Sequence, residues 1–583
     1  MKGPSSPPAA RLAAWLLLAL TATLFFYRVD ELPLPHGDER SFLDVPFRFA
    51  NFGDLRYPVF MSESFGADDL RPYPPITALA LRSVAVKTVG FSARNSRLVS
   101  GILILIVILA SVWWLRSCFD VSPSLLALVM APIAFAPVVI LAARSTRLEQ
   151  ETFFFGAASA LLLVSGGKLG LTRSTIVLLF AGVLAAVAAG MHPFGVVYGG
   201  LAAIALVAAR RPKDLMIWMG GAAIGALPTI WWMAQKGRSL VEFAAANGAM
   251  YQAREKDLSA WLAQFSSVSW LRPLGLSESV LARLAAVQHS AFSDYIAFPV
   301  EPGVFSLLLR ALFWVEAAFV ARFLFLHLRA RRAENEGAAF LALLGLGFLA
   351  FTFSYVPNTT YGLYGGFHVH LAFAAACLAG TRRKTSGHGP LAIVGAAYVA
   401  FGLLSAGRLI QAPPTPTLDD ELRAIAQVAR AAGIRPEDTV MTSTETWAAA
   451  GSRNTSLLER VQYGLGRSTH DALVYRRSYV EFYLGAGLPS RADQRAEAVR
   501  IRTAALSRTL DGLHLSGLLI LNDAQKDAVY FFRRSGSDTT TVASIDPARV
   551  VALRSVRRNG EGVSGPGVDC DTQALPLCVF RER

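Results

Sequence analysis

The sequence predicts a polytopic α-helical membrane protein with a soluble, extracytoplasmic α/β domain at its C-terminal end. Three observations predict it. Hydrophobic residues make up 53% of the 583-residue chain against 17% charged, at a mean hydropathy of +0.41, which is more apolar than a soluble fold of this length. The apolar residues gather in stretches long enough to cross a hydrocarbon layer of roughly 30 Å. From about residue 411 the pattern changes to amphipathic helix alternating with short β-rich runs.

The first apolar stretch, 12–27, runs into Phe25, Phe26 and Tyr27 without a small-residue cleavage pattern, so it reads as an uncleaved helix and not as a signal peptide. Further stretches fall at 98–115, 122–142, 152–166, 174–190, 194–209, 214–234, 303–328, 338–357, 362–380 and 390–410, giving about eleven spans in all. Lys2 and Arg11 precede the first span. The clusters Arg210, Arg211 and Lys213, then Arg329 to Arg332, then Arg382 to Lys384, all fall in loops on that same side. The positive-inside rule makes that side cytoplasmic, and an odd span count puts the C-terminal portion outside. The expected organisation is a transmembrane domain over 1–410, with outer loops 29–97 and 235–302, and an extracytoplasmic domain over 411–583, in the inner (plasma) membrane. Much of the net charge of +14 lies in short loops beside apolar stretches, where topology and anionic lipid account for it; nucleic acid is not an expected partner.

Polar groups outside the basic clusters concentrate on the outer face. Adjacent carboxylates, Asp38 and Glu39, open the loop after the first span. Phe42, Leu43, Val45, Pro46, Phe47 and Phe49, mixed with Arg40, Asp44 and Arg48, suit a short helix in the headgroup region. Pro72, Pro74 and Pro75 break the chain before a second amphipathic run, Ile76 to Val89. The run Arg144 to Glu151, His192 before Pro193, and the stretch Asn358 to His370 share this face. The loop 235–302 mixes Trp261, Phe265, Trp270 and Phe292 with Arg254, Lys256, Asp257 and Arg272, as suits an amphipathic lid or interfacial packing.

The outward Asp38-Glu39 pair, the Tyr73-Pro74-Pro75 turn with its following apolar helix, Arg97-Leu98 opening the next span, and Arg144 with Glu149 and Glu151 at the outer end of the third resemble the protein O-mannosyltransferase and lipid A aminoarabinose transferase family. These are C-type glycosyltransferases, multi-span enzymes that use polyprenyl-phosphate-linked sugars. The order of the motifs along the spans carries the resemblance over the first 200 residues; beyond that it is topological.

The resemblance implies a catalytic base at Asp38, with Glu39 a neighbour that orients or repels it. The chemistry asks for the same groups: a carboxylate to take the acceptor hydroxyl's proton, and cations for the departing phosphate. Arg144 and Arg147 offer planar forks matched to phosphate, and Glu149 and Glu151 are placed to hold them. Arg71, Arg254 and Lys256 are weaker candidates. Tyr361 or Tyr364 corresponds to a family tyrosine that contacts lipid phosphate or acceptor, although the lysine that accompanies it there is missing. His368 and His370, two apart on a helix, point to different faces and make a substrate-lining or hydrogen-bonded pair in preference to a metal site. His192, before Pro193, reads as structural. The partners are a polyprenyl-phosphate-linked sugar donor, a hydroxyl acceptor and the lipid bilayer. No cofactor is required, and a divalent cation stays open.

Each reading has a plainer rival: solvated loop acids for Asp38 and Glu39, and an interfacial ion-pair cluster for the Arg144 to Glu151 run. At the level of function the rivals are a transporter or flippase of a lipid-linked sugar, which would bury charge within its spans, and a polysaccharide polymerase or ligase of a different fold. Asp569-Cys570-Asp571 matches the metal-binding Asp-x-Asp pattern by coincidence, and Trp231-Trp232 is followed by Met233, which disfavours en-bloc transfer to asparagine. In the C-terminal domain Thr417 and Asp420 predict a capped helix to about Ala432. A strand follows at Thr439 to Ser443, then helical patterns near 489–510 and 524–533 around a strand at Leu515 to Leu521. Cys570 and Cys578 are close enough in sequence to pair on an oxidising side. Cys118 and Cys377 read as structural.

Overall fold

The computed structural model describes residues 8–32, 39, 42–53, 79–119, 121–166, 170–235, 304–330, 335–354, 362–381, 388–414, 417–443, 446, 454–457, 470–477, 492–522, 527–534, 539–545, 551–557, 562–565, 568–571 and 577–579. Asp38, Tyr361, the Tyr73-Pro74-Pro75 turn and, of the expected 235–302 loop, residues 236–302 lie outside them. The chain divides into two compact units, one of Met1–Leu34, Pro74–Ala85 and Arg94–Pro413, the other of Pro35–Tyr73, Val86–Ala93 and Pro414–Arg583. The second thus joins the C-terminal portion with two pieces of the segment 29–97.

Among the described residues each of the eleven apolar stretches contains a helix. The helices are α1 (Pro8–Phe26), α2 (Asp44–Phe52), α3 (Ala80–Val89), α4 (Ala93–Cys118), α5 (Pro123–Phe135), α6 (Pro137–Ala143), α7 (Leu148–Leu163), α8 (Thr175–Met191), α9 (Pro193–Ala208), α10 (Pro212–Gln235), α11 (Val304–Ala330), α12 (Glu336–Ser354), α13 (Gly362–Thr381) and α14 (His388–Gln411). Among the described residues five helices are long and apolar enough to cross a membrane, six if α5 and α6 count as one bent span. That pair bends by 66° where Pro137, lacking an N–H, cannot continue the helix before it. Leu12–Phe26, Thr175–Met191 and Phe194–Ala208 are shorter apolar helices, the last two parted at His192–Pro193. Helices α8 and α10 approach backbone to backbone: a Cβ at Gly182 would stand 2.0 Å from the Trp218 carbonyl oxygen, and one at Gly221 2.0 Å from that of Leu179. Small residues allow such contact where lipid removes the hydrophobic drive for association.

In the second unit a seven-stranded sheet runs in the order β2-β1-β3-β5-β4-β6-β7, with β1 (Thr439–Thr442), β2 (Asn454–Leu457), β3 (Ala472–Arg476), β4 (His514–Asn522), β5 (Asp527–Arg533), β6 (Thr539–Ile545) and β7 (Val551–Arg557). β1 pairs parallel to β2 and β3, and β4 parallel to β6; the other pairs are antiparallel. Period-two alternation splits its core in two. Ala472, Val474, Val529 and Phe531 face Ala424, Ile425 and Val428 of helix α15 (Leu418–Ala431). Leu473, Tyr475, Tyr530 and Phe532 face Ala505 and Leu506 of helix α16 (Ala492–Leu510). Thr417 caps α15 as expected: its Oγ1 accepts the Asp420 N–H at 3.0 Å and the Asp420 carboxylate accepts the Thr417 N–H at 3.0 Å.

One expectation is corrected. Within the segment near 524–533, read as helical, the described residues Asp527–Arg533 form the strand β5, paired to both β3 and β4. Its Val-Tyr-Phe-Phe run has β-branched and aromatic residues on both faces, and a central strand covered on two sides carries no polar alternation to betray it.

A smaller three-stranded sheet holds β8 (Gly562–Gly565), β9 (Val568–Asp571) and β10 (Leu577–Val579), with Cys570 opposite Cys578 in the antiparallel register. Directly opposed Cα atoms, about 4.5–5.5 Å apart, fall within the span a disulfide bridges. Non-reducing peptide mapping of protein from an oxidising compartment is expected to recover the two cysteines in one linked fragment that separates on reduction; free thiols at both would refute the pairing.

Candidate functional site

The Arg144 to Glu151 run forms the turn between α6 and α7, and the structure gives each charged group in it a different task. Arg144 is fully buried. Its Nε donates to the Leu32 carbonyl at 2.9 Å, one terminal nitrogen to Leu24 at 2.7 Å, and the other to Tyr27 at 2.9 Å and Arg28 at 2.8 Å. These carbonyls lie at and just beyond the C-terminal end of α1, where helical geometry leaves acceptors without intrahelical partners and favours a cation. Burial, with help from Arg97, lowers the Arg144 pKa to about 9, so it remains cationic at neutral pH. Where a phosphate contact was expected of Arg144, its fork is occupied by backbone carbonyls and seals a helix end.

Arg147 pairs with Glu149. Glu149, two residues on, accepts from its Nε at 3.2 Å and from a terminal nitrogen at 3.0 Å, which fixes the plane of the guanidinium. Burial raises the pKa of the Glu149 carboxyl, but Arg147 and His192 outweigh it and hold the group down to about 2. Gln150 completes the turn. Its Oε1 accepts the Arg147 N–H at 2.9 Å while its amide donates to the Ala142 carbonyl at 3.1 Å.

Glu151 faces elsewhere. One carboxylate oxygen accepts the Leu79 N–H at 2.8 Å, and the other accepts the Arg82 N–H at 3.2 Å and its Nε at 3.4 Å. The carboxylate therefore caps the N-terminus of α3, where orphan N–H groups and the helix dipole attract an anion. Burial raises its pKa, opposed by Arg82. Arg82, also fully buried, donates onward to the Ser96 carbonyl at 3.2 Å and to that of Arg147 at 3.4 Å. Arg82 was not expected in this site. Its partner lies 69 residues away, beyond any local pattern.

Of the remaining candidates, Tyr364 joins this cluster. Its hydroxyl donates to the Glu149 carbonyl at 3.2 Å, and its ring stacks on Phe194 and Phe348 at 5.0 and 5.3 Å. His368, one turn along α13, bonds through Nδ1 to the Tyr364 carbonyl at 2.7 Å and stacks on Phe348 at 5.5 Å. His370 faces away, its Nδ1 2.7 Å from Glu316 of α11 and its Nε2 3.5 Å from the Tyr398 hydroxyl of α14. Glu316 Oε1 is buried with no hydrogen-bond partner among the described residues. An acid wholly buried midway along an apolar helix is a signal the sequence carried at Glu316 and which went unread. Among the described residues no group of three His, Cys, Asp or Glu is disposed to hold a metal.

His192 caps α9: its Nδ1 accepts the Phe194 N–H at 3.3 Å, as its place before Pro193 suggested. Burial lowers its pKa from 6.5 to about 4. The unfolded chain then binds the proton first as pH falls, so stability present above pH about 6.5 is lost between there and about 4. The thermal midpoint is expected to drop across that window in the wild type and to stay flatter in His192→Asn, which keeps a capping oxygen; equal slopes would remove His192 from the titration.

Glu39 lies in the second unit. It is 1% exposed and helical, and its carbonyl accepts the Leu43 N–H at 3.1 Å. It is no solvated loop acid.

No protein-family model matches the sequence, and neither does any curated protein. Solved structures match in fold. ArnT from Cupriavidus metallidurans in the apo state superposes at a TM-score of 0.50 with 12% identity, over 81% of this chain and 95% of that one. The same protein bound to undecaprenyl phosphate gives 0.48 with 12% identity, over 82% and 95%. The oligosaccharyltransferase AglB of Archaeoglobus fulgidus, in complex with an inhibitory peptide and a dolichol-phosphate, gives 0.46 with 12% identity, over 94% and 74%. The fold is that of the C-type glycosyltransferases, as the sequence resemblance implied.

Proposed function

We propose that this protein is an inverting glycosyltransferase that moves a sugar from a polyprenyl-phosphate donor to a hydroxyl acceptor, whether glycan, lipid or protein, on the outer face of the membrane. Eleven spans, a cytoplasmic N-terminus and an extracytoplasmic C-terminal domain complete the reading. The single observation that carries it is the fold shared with ArnT across 95% of that chain's length.

In this reading Asp38 accepts the proton of the acceptor hydroxyl as its oxygen bonds to the anomeric carbon. The bond from that carbon to the phosphate oxygen breaks, and polyprenyl phosphate leaves with one more negative charge. One displacement inverts the anomeric centre. Glu39 tunes Asp38 as a neighbouring carboxylate. Arg147, its plane set by Glu149, meets the charge that develops on the phosphate, and a fork held before substrate arrives lowers the ordering cost. Tyr361 and Tyr364 serve the donor or acceptor side, and His368 lines the same aromatic layer as Tyr364. No cofactor is required.

The test is transfer of labelled sugar from purified polyprenyl-phosphate donors to membrane extract by the protein in proteoliposomes. Transfer supports the reading. A second reading, a transporter of the lipid-linked sugar, draws on Glu316 and His370, polar groups buried within α11 and α13. Donor crossing the bilayer without transfer would favour it and overturn the first.

A further inference from the structure

We infer that helix α15 of the C-terminal domain is the platform that positions the acid-bearing first outer loop, with Leu418, Leu422 and Asp419 as its positioning residues. This gives the domain a task in the proposed reaction, and the catalytic part of the inference rests on that reading.

Leu43, Ala93 and Leu418 form one buried cluster, flanked by Phe47, Phe91 and Leu422. All six belong to the second unit, so two pieces of the outer loop share a core with the start of α15. Phe47 meets Phe91 edge-on at 5.2 Å. The carbonyl of Glu39 accepts the Leu43 N–H at 3.1 Å, and the carbonyl of Leu43 accepts the Phe47 N–H at 3.1 Å. Glu39 therefore stands one helical turn from a leucine seated on Leu418. On the other side of the cluster the Asp419 carboxylate accepts the Ala93 N–H at 2.7 Å, at the N-terminus of α4.

A platform must itself be rigid, and α15 is. Its N-terminus has the reciprocal Thr417–Asp420 cap, and its rear face is in the sheet core through Ile425 and Val428. Glu421 pairs with Arg476 at the end of β3, 3.4 Å away, and the Arg476 N–H reaches the Ser443 hydroxyl at 3.4 Å after β1. Packing at Leu418 thus ties the backbone of the acid-bearing loop to two central strands.

Hydrogen exchange and transfer kinetics of the full-length protein in nanodiscs test the inference. In Leu418→Ala the amides of Leu43 and Phe47 are expected to exchange at least about tenfold faster. kcat for transfer should fall about ten- to a hundredfold, the scale of a small misplacement of a reacting group, with KM for the donor unchanged. Leu418→Met, which restores the volume, should recover both. Unchanged exchange at Leu43 and Phe47 in Leu418→Ala overturns the platform, as does faster exchange with an unaltered kcat in an active enzyme. A wild type that transfers no sugar defeats the functional reading instead, and the exchange result still decides whether α15 holds the loop. Should Leu418→Ala fail to fold, Leu422→Ala at the edge of the cluster gives the same readout with a smaller effect.

Discussion

Asp38→Asn is expected to lower sugar transfer by roughly two to four orders of magnitude, the range general-base catalysis contributes. Asparagine matches aspartate in shape and cannot take a proton, so an acceptor hydroxyl would meet the anomeric carbon without losing its charge-bearing hydrogen. Binding of the donor should persist, because the phosphate is assigned to Arg147, and the loss should fall on kcat. Glu39→Gln is expected to do less. Glu39 is buried and helical, and in the proposed reaction it is the neighbour of the base and not the base itself, so its removal leaves the proton acceptor in place. The measurement is the initial rate with labelled donor at saturating concentration, beside the amount of folded protein in the membrane. An Asp38→Asn enzyme within about threefold of wild type would remove Asp38 as the base, since that loss lies far below what a missing general base costs.

What could be read ahead of the structure divides along a physical line. The apolar stretches were legible because burial in lipid writes itself into every residue of a span, and Pro193 marked a break because a missing N–H acts locally; the bend at Pro137, inside the stretch 122–142 taken as one span, was not read. The Thr417–Asp420 cap was legible for the same reason. Contacts between distant residues were not. Arg144 had the type and place of a phosphate ligand, and only the carbonyls at and just beyond the end of α1, more than a hundred residues earlier in the chain, occupy its fork. Glu151 looked like a second clamp on the arginines, yet its partners are an N-terminus and a guanidinium near residue 80. The two histidines were separated correctly by helical spacing, while the partner that defines His370 sits 54 residues away. β5 was missed because a strand buried on both faces lacks the alternation that distinguishes strand from helix. The packing of the Leu43 segment against α15 was invisible in the sequence because the shared core joins residues 43, 93 and 418.

Arg82→Ala is expected to destabilise the first unit by about 3–5 kcal/mol, the cost of stranding one member of a buried ion pair. Arg82 and Glu151 both have fully buried side chains, so no water reaches in to replace the lost charge. The carboxylate keeps two backbone N–H donors at α3, which limits the damage without cancelling the charge. Its pKa, already raised by burial against the pull of Arg82, should rise further once that pull is gone. A carboxyl whose folded pKa is raised binds its proton more tightly folded than unfolded. The variant's stability deficit should therefore be smaller near pH 4.5 and grow as pH rises toward neutrality. Glu151→Gln in the same background should recover part of the loss, because the amide oxygen still accepts an α3 N–H and carries no charge. Function should follow stability only in part: Arg82 also holds the Arg147 carbonyl at 3.4 Å, so donor KM should rise in the double variant even where folding is restored. Thermal unfolding of the single and double variants across pH decides it. An Arg82→Ala protein that melts with the wild type at neutral pH would mean that Glu151 finds another cation, and that the chain from α3 to Arg147 does not hold the turn.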